Sequence, residues 1–232
     1  FIHGVGLTHE IWKPQLDFFN NYSTLAYDIL GHGKSSLDKE IISFDDFSDQ
    51  LIDLINHLNI KKIHLVGFSI GSLIARNFAI NHSSHLQSLT LLCSIYKRTE
   101  EQQKIVNQRF EQAKKDLKLS RQALKRWFTD EYIEKHPNIY DKISSILAAN
   151  NMEHFLKVYE LFVKHQNDED FNKIQNHTLV MTGEHDIGST VKMSQELNAL
   201  IPKSQLKIIK DGKHPVSYTH SEPTRPLEIS YA

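Results

Sequence analysis

Cysteine is nearly absent from this 232-residue chain. Cys93 stands alone, so no internal disulfide can form and nothing ties the fold to an oxidising compartment. A cytoplasmic setting is the expectation. The run Leu89-Thr90-Leu91-Leu92-Cys93 makes that cysteine a buried strand residue. Long apolar runs are missing as well, and none approaches the roughly 20 residues a membrane-spanning helix needs. Excess charge of either sign is lacking: 27 Lys and Arg face 28 Asp and Glu, a formal net charge of −1. That balance gives no argument for nucleic acid or for an acidic membrane surface, and neither is an expected partner. No signal peptide is visible, although the chain opens at Phe1-Ile2-His3-Gly4 rather than at Met, in what reads as the last residues of a strand. With 40% hydrophobic residues and mixed charge, the length fits one large domain or a domain with an insertion.

What is present centres on Gly67-Phe68-Ser69-Ile70-Gly71, a G-x-S-x-G motif. Lys62 to Val66 before it is short, apolar and partly β-branched, as a buried strand would be. Ser72 to Ile80 after it reads as a helix with little exposed surface. A strand, a sharp turn and a helix hold such a serine in a strained backbone conformation, with its hydroxyl clear of the sheet edge. A glycine–serine turn without chemistry is the plain alternative.

Upstream, His3-Gly4-Val5-Gly6 permits a tight loop whose backbone amides can face a ligand. The amides of Val5 and Ile70 are the candidate oxyanion donors. Ser23 to Tyr27 reads as a strand that runs into the glycine-rich loop Asp28 to Ser35. Asp28 could serve as a triad acid, but it precedes the nucleophile and is assigned a structural role. His32 is read as a loop residue rather than a base. Ser43-Phe44-Asp45-Asp46 has capping-box spacing, and Phe44, Phe47, Leu51, Leu54, Ile55 and Leu58 repeat at helical intervals.

Strand candidates continue at Ser88–Ser94, Thr178–Thr182 and Gln205–Ile209. Such alternation predicts a doubly wound, mostly parallel α/β sheet whose ligand lies outside the carboxyl ends of the strands. It is interrupted from about Thr99 to Asn167, where helical spacing rich in Lys, Glu, Gln and Leu predicts a helical cap. The expected division is 1–94 core, 95–170 cap, 171–215 core and 216–232 tail. Phe155, Tyr159 and Phe162 fall on one helix face. Phe155 and Tyr159, with Trp127, are the candidate pocket residues, although such aromatics more often pack a core. Asp186 ends the strand after the cap and is the candidate acid, and His214 is the candidate base. The order Ser69, Asp186, His214 then completes a nucleophile, an orienting acid and a proton carrier. Asp211 is the second choice of acid, because it lies too near His214 in sequence to stand on a separate strand end. No metal or organic cofactor is expected.

Together, His3 to Gly6, Asp28 to Ser35, Gly67 to Gly71, Gly183 to Asp186 and His214 resemble the α/β-hydrolase superfamily over almost the whole chain. The resemblance implies a serine hydrolase of small carboxylic esters or lactones. In the cap, Arg126-Trp127-Phe128-Thr129, His136-Pro137 and the Phe155 region resemble 3-oxoadipate enol-lactonases, which implies hydrolysis of a carboxylated enol-lactone. Tyr159 to Val163 and the proline-free loop Ile187-Gly188-Ser189-Thr190 depart from that pattern. A general carboxylesterase and a cofactor-free perhydrolase are the catalytic alternatives. A slow-turnover ligand receptor of the same fold is the other, and burst labelling without steady turnover would single it out. A haloalkane dehalogenase is disfavoured, since position 69 is serine rather than a carboxylate.

The tail breaks the pattern. From Val216 the chain offers two prolines, Pro223 and Pro226, and no helical periodicity where the superfamily has an amphipathic helix. Val216 to Ala232 resembles translated sequencing adapter, so the native sequence is expected to end near His214 or Pro215, and His220 is no candidate base. The first strands and the last helix are then expected to be missing. A chain so shortened should unfold below about 50 °C; a cooperative calorimetric transition above that temperature would contradict this.

Overall fold

The computed structural model describes residues 1–115 and 124–214. The segment from Val216 to Ala232, with His220 and its proposed adapter origin, lies outside the described residues. Four strands form one parallel sheet in chain order: β1 Ile63–Phe68, β2 Leu86–Leu92, β3 His177–Gly183 and β4 Ser204–Ile209. Ile2 extends it beyond β1, with parallel bridges to Gly67 on one side and to Tyr27 on the other. In space the order is therefore Tyr27, Ile2, β1, β2, β3, β4. The chain moves outward from Ile2 to Tyr27 and then returns to Ile2's other flank. That reversal creates a crevice at the strand ends between Ile2 and β1.

Two strand expectations change. Ser23 to Tyr27 contributes only the bridge at Tyr27, beside a hydrogen bond from the Phe1 amine to the Leu25 carbonyl at 2.8 Å, and Ser23, Thr24 and Leu25 are exposed, so they have no core to cover. The second strand ends at Leu92 rather than Ser94, because Cys93 takes a left-handed backbone (φ 51°). Cys93 is buried as expected, one residue beyond the strand.

The helices α1 Lys13–Phe18, α2 Phe44–His57 and α3 Ile70–Asn81 precede β2. At the start of α2, the Ser43 backbone N–H and hydroxyl both donate to the Asp46 carboxylate, at 2.7 and 3.0 Å. The apolar stripe of α2 (Phe47, Leu51, Ile55) packs with Leu73, Ile74 and Phe78 of α3 over Leu65, Leu89, Leu91 and Val180 of the sheet. Between β2 and β3 the described residues are helical: α4 Glu100–Ala113, a turn at 124–127, α5 Asp130–Lys135, α6 Pro137–Ala148 and α7 Met152–Val163. Val106, Phe110 and Val163 join α4 to α7 in a small core of their own. A second cluster, with Trp12, Phe68, Leu92, Leu124, Phe128 and Ile143, fills the space between the strand ends and these helices. The last helix among the described residues, α8 Val191–Leu200, lies between β3 and β4. No helix among the described residues is long and apolar enough to cross a membrane.

One buried ion pair ties the segment after α7 to the sheet. Arg76 on α3 is fully buried and bonds to Glu169, to the Ile95 carbonyl at 2.8 Å and to the Ser94 hydroxyl at 3.3 Å. The Phe171 ring lies under its guanidinium at 4.9 Å. Burial works against the Glu169 charge, yet the His165 hydrogen bond and the Arg76 charge prevail and hold its carboxyl at about 2 instead of 4.5. A depressed carboxyl stabilises the fold above its unfolded pKa and stops doing so as pH falls through the folded one. Glu169→Gln is therefore expected to cost about 3–5 kcal/mol at neutral pH, by leaving a buried guanidinium unpaired. It should also flatten the fall in stability between about pH 4.5 and 2. Urea unfolding across that range checks both.

Candidate active site

Local backbone chemistry sets the serine. Ser69 sits at φ 57° and ψ −119°, a left-handed turn between β1 and α3 that costs a non-glycine residue conformational energy. The surroundings hold it there. Its N–H donates to Leu92 at 2.9 Å, and its carbonyl accepts from the Ser72 N–H (2.9 Å) and hydroxyl (2.5 Å). A Cβ at Gly67 would stand 2.2 Å from the Gly71 carbonyl oxygen. One at Gly71 would stand 2.5 Å from that of Ile2. The strand, the helix and the His3–Gly6 loop can meet only because both positions are glycine.

Asp186 and His214 arrive from the other strand ends. Asp186 follows β3 in a loop pinned by Thr182, whose hydroxyl donates to the Ser189 carbonyl, and by Ser189, whose hydroxyl donates to the Cys93 carbonyl, each at 2.7 Å. One Asp186 oxygen accepts the Gly188 and Ser189 amides at 2.8 and 3.0 Å. The other lies 2.7 Å from His214 Nδ1. Burial alone would raise the Asp186 pKa; the charge and hydrogen bond of His214, with those two amides, hold it below the ordinary value. His214 Nε2 in turn lies 3.4 Å from the Ser69 hydroxyl. The imidazole is flanked by Phe68 and Trp127, with ring centres 5.2 and 5.9 Å away, and the Cys93 thiol donates to the His214 carbonyl. Lys213 ties the same loop to the Phe128 carbonyl at 3.1 Å.

Val5 and Ile70 flank Ser69, and neither backbone N–H donates to the chain among the described residues. Two buried histidines position the Val5 loop. His32 Nε2 accepts the Gly6 amide at 2.8 Å; His3 bonds through Nδ1 to the Gly4 carbonyl at 2.8 Å and accepts the Ile29 amide at Nε2. Burial lowers their pKa values to about 3 for His3 and about 4 for His32, so both are neutral supports. Asp28 accepts the His9 amide and ring at 2.8 and 2.7 Å and the Lys34 amide at 3.0 Å, and it takes no part in the serine cluster. Asp211 is likewise elsewhere, exposed, with its amide on Glu184.

A cavity of about 290 Å³ opens over Ser69 and His214. Trp127, Phe155 and Tyr159 line it, and so do three arginines that were not among the candidate pocket residues: Arg98, Arg109 and Arg126, the last named only within the cap motif Arg126 to Thr129. A signal for them existed, since four of the chain's six arginines fall between positions 98 and 126. The roof is fastened to the core where the Asn150 amide donates to the Gly6 carbonyl at 2.7 Å.

Among the described residues, two groups gather ligand-type side chains. Cys93, Asp186 and His214 form one, but the Asp186 carboxylate and the His214 Nδ1 are engaged with each other. Glu184, His185 and Asp211 form an exposed second group.

The comparisons with known proteins agree with this architecture. An enol-lactonase from Burkholderia xenovorans LB400 superposes with a TM-score of 0.84 at 22% identity, over 92% of this chain and 82% of that one. In sequence, the chain is 30% identical to (E)-2-((N-methylformamido)methylene)succinate hydrolase of Acinetobacter baylyi, over 95% of its own length and 84% of the relative's. It is 26% identical to 3-oxoadipate enol-lactonase 2 of the same organism, over 95% and 85%. The family model for the alpha/beta hydrolase fold matches residues 1–221. With a parallel sheet, a strained serine after its first full strand and this match over nearly all its length, the chain belongs to the α/β-hydrolase fold family.

Proposed function

We propose that this protein hydrolyses a small carboxylic ester or lactone, in the manner of a 3-oxoadipate enol-lactonase, through Ser69, His214 and Asp186. The observation that carries the reading is the hydrogen-bonded line from the Asp186 carboxylate through both nitrogens of His214 to the Ser69 hydroxyl, at 2.7 and 3.4 Å. The enol-lactonase relative at 26% identity supports a carboxylated lactone as the substrate class.

In the mechanism, Ser69 Oγ attacks the acyl carbon and its proton passes to His214 Nε2. Asp186 accepts the Nδ1–H, fixes the tautomer and stabilises the imidazolium. The Val5 and Ile70 amides receive the oxyanion, adding preorganised donors at no reorganisation cost. His214 then protonates the leaving oxygen. In a lactone that oxygen stays tethered to the acyl group. Water, deprotonated by His214, next attacks the acyl-enzyme, and collapse releases the acid and restores Ser69. The apolar walls, with Phe155, Trp127 and Tyr159, exclude bulk water during the first step. The steps as written require no metal or organic cofactor.

Steady-state kinetics test the reading. The kcat/KM for 3-oxoadipate enol-lactone is expected to exceed that for p-nitrophenyl butyrate by about tenfold or more, and Ser69→Ala should lower both by at least about 10³-fold. Equal rates for the two substrates would remove the lactonase assignment, and full activity in the variant would remove the nucleophile. Asp186→Asn should lower kcat by about 10⁴-fold, because the amide stabilises the wrong tautomer of His214. A wild-type kcat in that variant would exclude Asp186 as the orienting acid.

A further inference from the structure

Among the described residues, the cavity above Ser69 holds more positive charge than its lining compensates. Arg98, Arg109 and Arg126 all line it. Arg98 is engaged: it donates to the Phe162 and Val163 carbonyls at 3.2 and 3.1 Å, with its guanidinium 4.7 Å from the Phe162 ring centre. Arg109 and Arg126 make no hydrogen bond or ion pair among the described residues. They come from different segments, α4 and the turn at 124–127, which bring them to the same wall. They are near enough that, after burial, the charge of Arg109 is the next cause lowering the Arg126 pKa. The Tyr159 hydroxyl lies within electrostatic reach of all three guanidiniums.

Two like charges on one partly buried wall repel, and apolar neighbours such as Val106 and Phe155 strengthen that repulsion by lowering the local dielectric. Among the described residues the only carboxylate in the lining is Asp186, already paired with His214. Among the described lining residues, three guanidiniums against that one carboxylate leave an excess of two positive charges. Residue type points the same way. Lysines outnumber arginines 21 to 6 in this chain, yet the wall carries arginine, whose planar fork meets a carboxylate through two parallel hydrogen bonds.

We propose that Arg109 and Arg126 form a dicarboxylate site. The substrate carries, besides the acyl group that Ser69 attacks, two further carboxylates, one for each guanidinium. This rests on the hydrolytic reading of Ser69 and narrows its substrate to a small dianion, with one more carboxylate than the enol-lactone bears. Tyr159 offers its hydroxyl to the same carboxylates. Closing the cavity over such a substrate cancels its excess charge, so the dianion is selected against neutral esters and monoanions alike.

The test is calorimetric titration of the full chain, at constant ionic strength, with butyrate, glutarate and propane-1,2,3-tricarboxylate. These stand for product acids with no, one and two carboxylates beyond the acyl group. Affinity is expected to rise about tenfold at each step, the scale of one charged hydrogen-bonded pair. Arg109→Gln and Arg126→Gln should each reduce the ratio of tricarboxylate to butyrate affinity about tenfold, with folding verified by circular dichroism. A tricarboxylate that binds no tighter than glutarate overturns the proposal, and so do folded variants with an unchanged ratio. The comparison in the unsubstituted chain decides the matter even where a variant does not fold. Turnover of p-nitrophenyl butyrate, and its loss in Ser69→Ala, reports the hydrolytic reading separately, so either idea can fail while the other stands.

Discussion

The backbone of Ser69 is the constraint on which the rest of the site depends. A left-handed turn at a serine is costly, and three separate parts of the fold enforce it. Leu92 on β2 takes its N–H, the first turn of α3 takes its carbonyl, and the glycines at 67 and 71 let strand, helix and loop approach within a side chain's width. Because the Gly71 position abuts the Ile2 and His3 carbonyls, the turn also fixes the start of the Val5 loop. The hydroxyl and the two unengaged amides are thus set by one piece of packing at the point where the sheet changes direction.

Around that point, charge is distributed by burial. His3 and His32, fully enclosed, are kept neutral and serve as hydrogen-bonding struts for the loop. His214 is less enclosed and stands against a carboxylate held by two backbone amides. The same side chain therefore has two roles in one molecule, separated by whether its ring is hydrogen-bonded to backbone groups or to a carboxylate. The roof follows a different rule, with arginines gathered on a wall that contains no free acid among the described residues. Its tie to the core through Asn150 and Gly6 joins the roof directly to the loop beside the serine.

Much of the fold was legible. Buried parallel strands read as short apolar runs, and those at 63–68, 177–183 and 204–209 stood where such runs predict. The second was displaced by two residues, because a left-handed backbone at Cys93, invisible to periodicity, ends it early. The strand before Asp28 shrank to one bridge, since exposed Ser23, Thr24 and Leu25 bury nothing. In the site, Ser69, Asp186 and His214 were legible from a local motif and from chain order, and the geometry brings them together. Asp28 was set aside on chain order and Asp211 on its nearness to His214 in sequence, and both lie apart from the serine cluster.

By itself the sequence determined the alternation of strand and helix, the glycine spacing that makes a strained serine possible, and the order in which acid and histidine follow it. These are local properties, written in neighbouring residues and in short periods. Only the tertiary structure decided which distant groups meet: Arg76 with Glu169 across 93 residues, the Gly6 amide with His32, Asn150 with Gly6, and Arg109 with Arg126 on one wall. Such encounters depend on how helices cross and where loops close. A polar residue facing a cavity and one facing solvent have the same local pattern, so only packing distinguishes them.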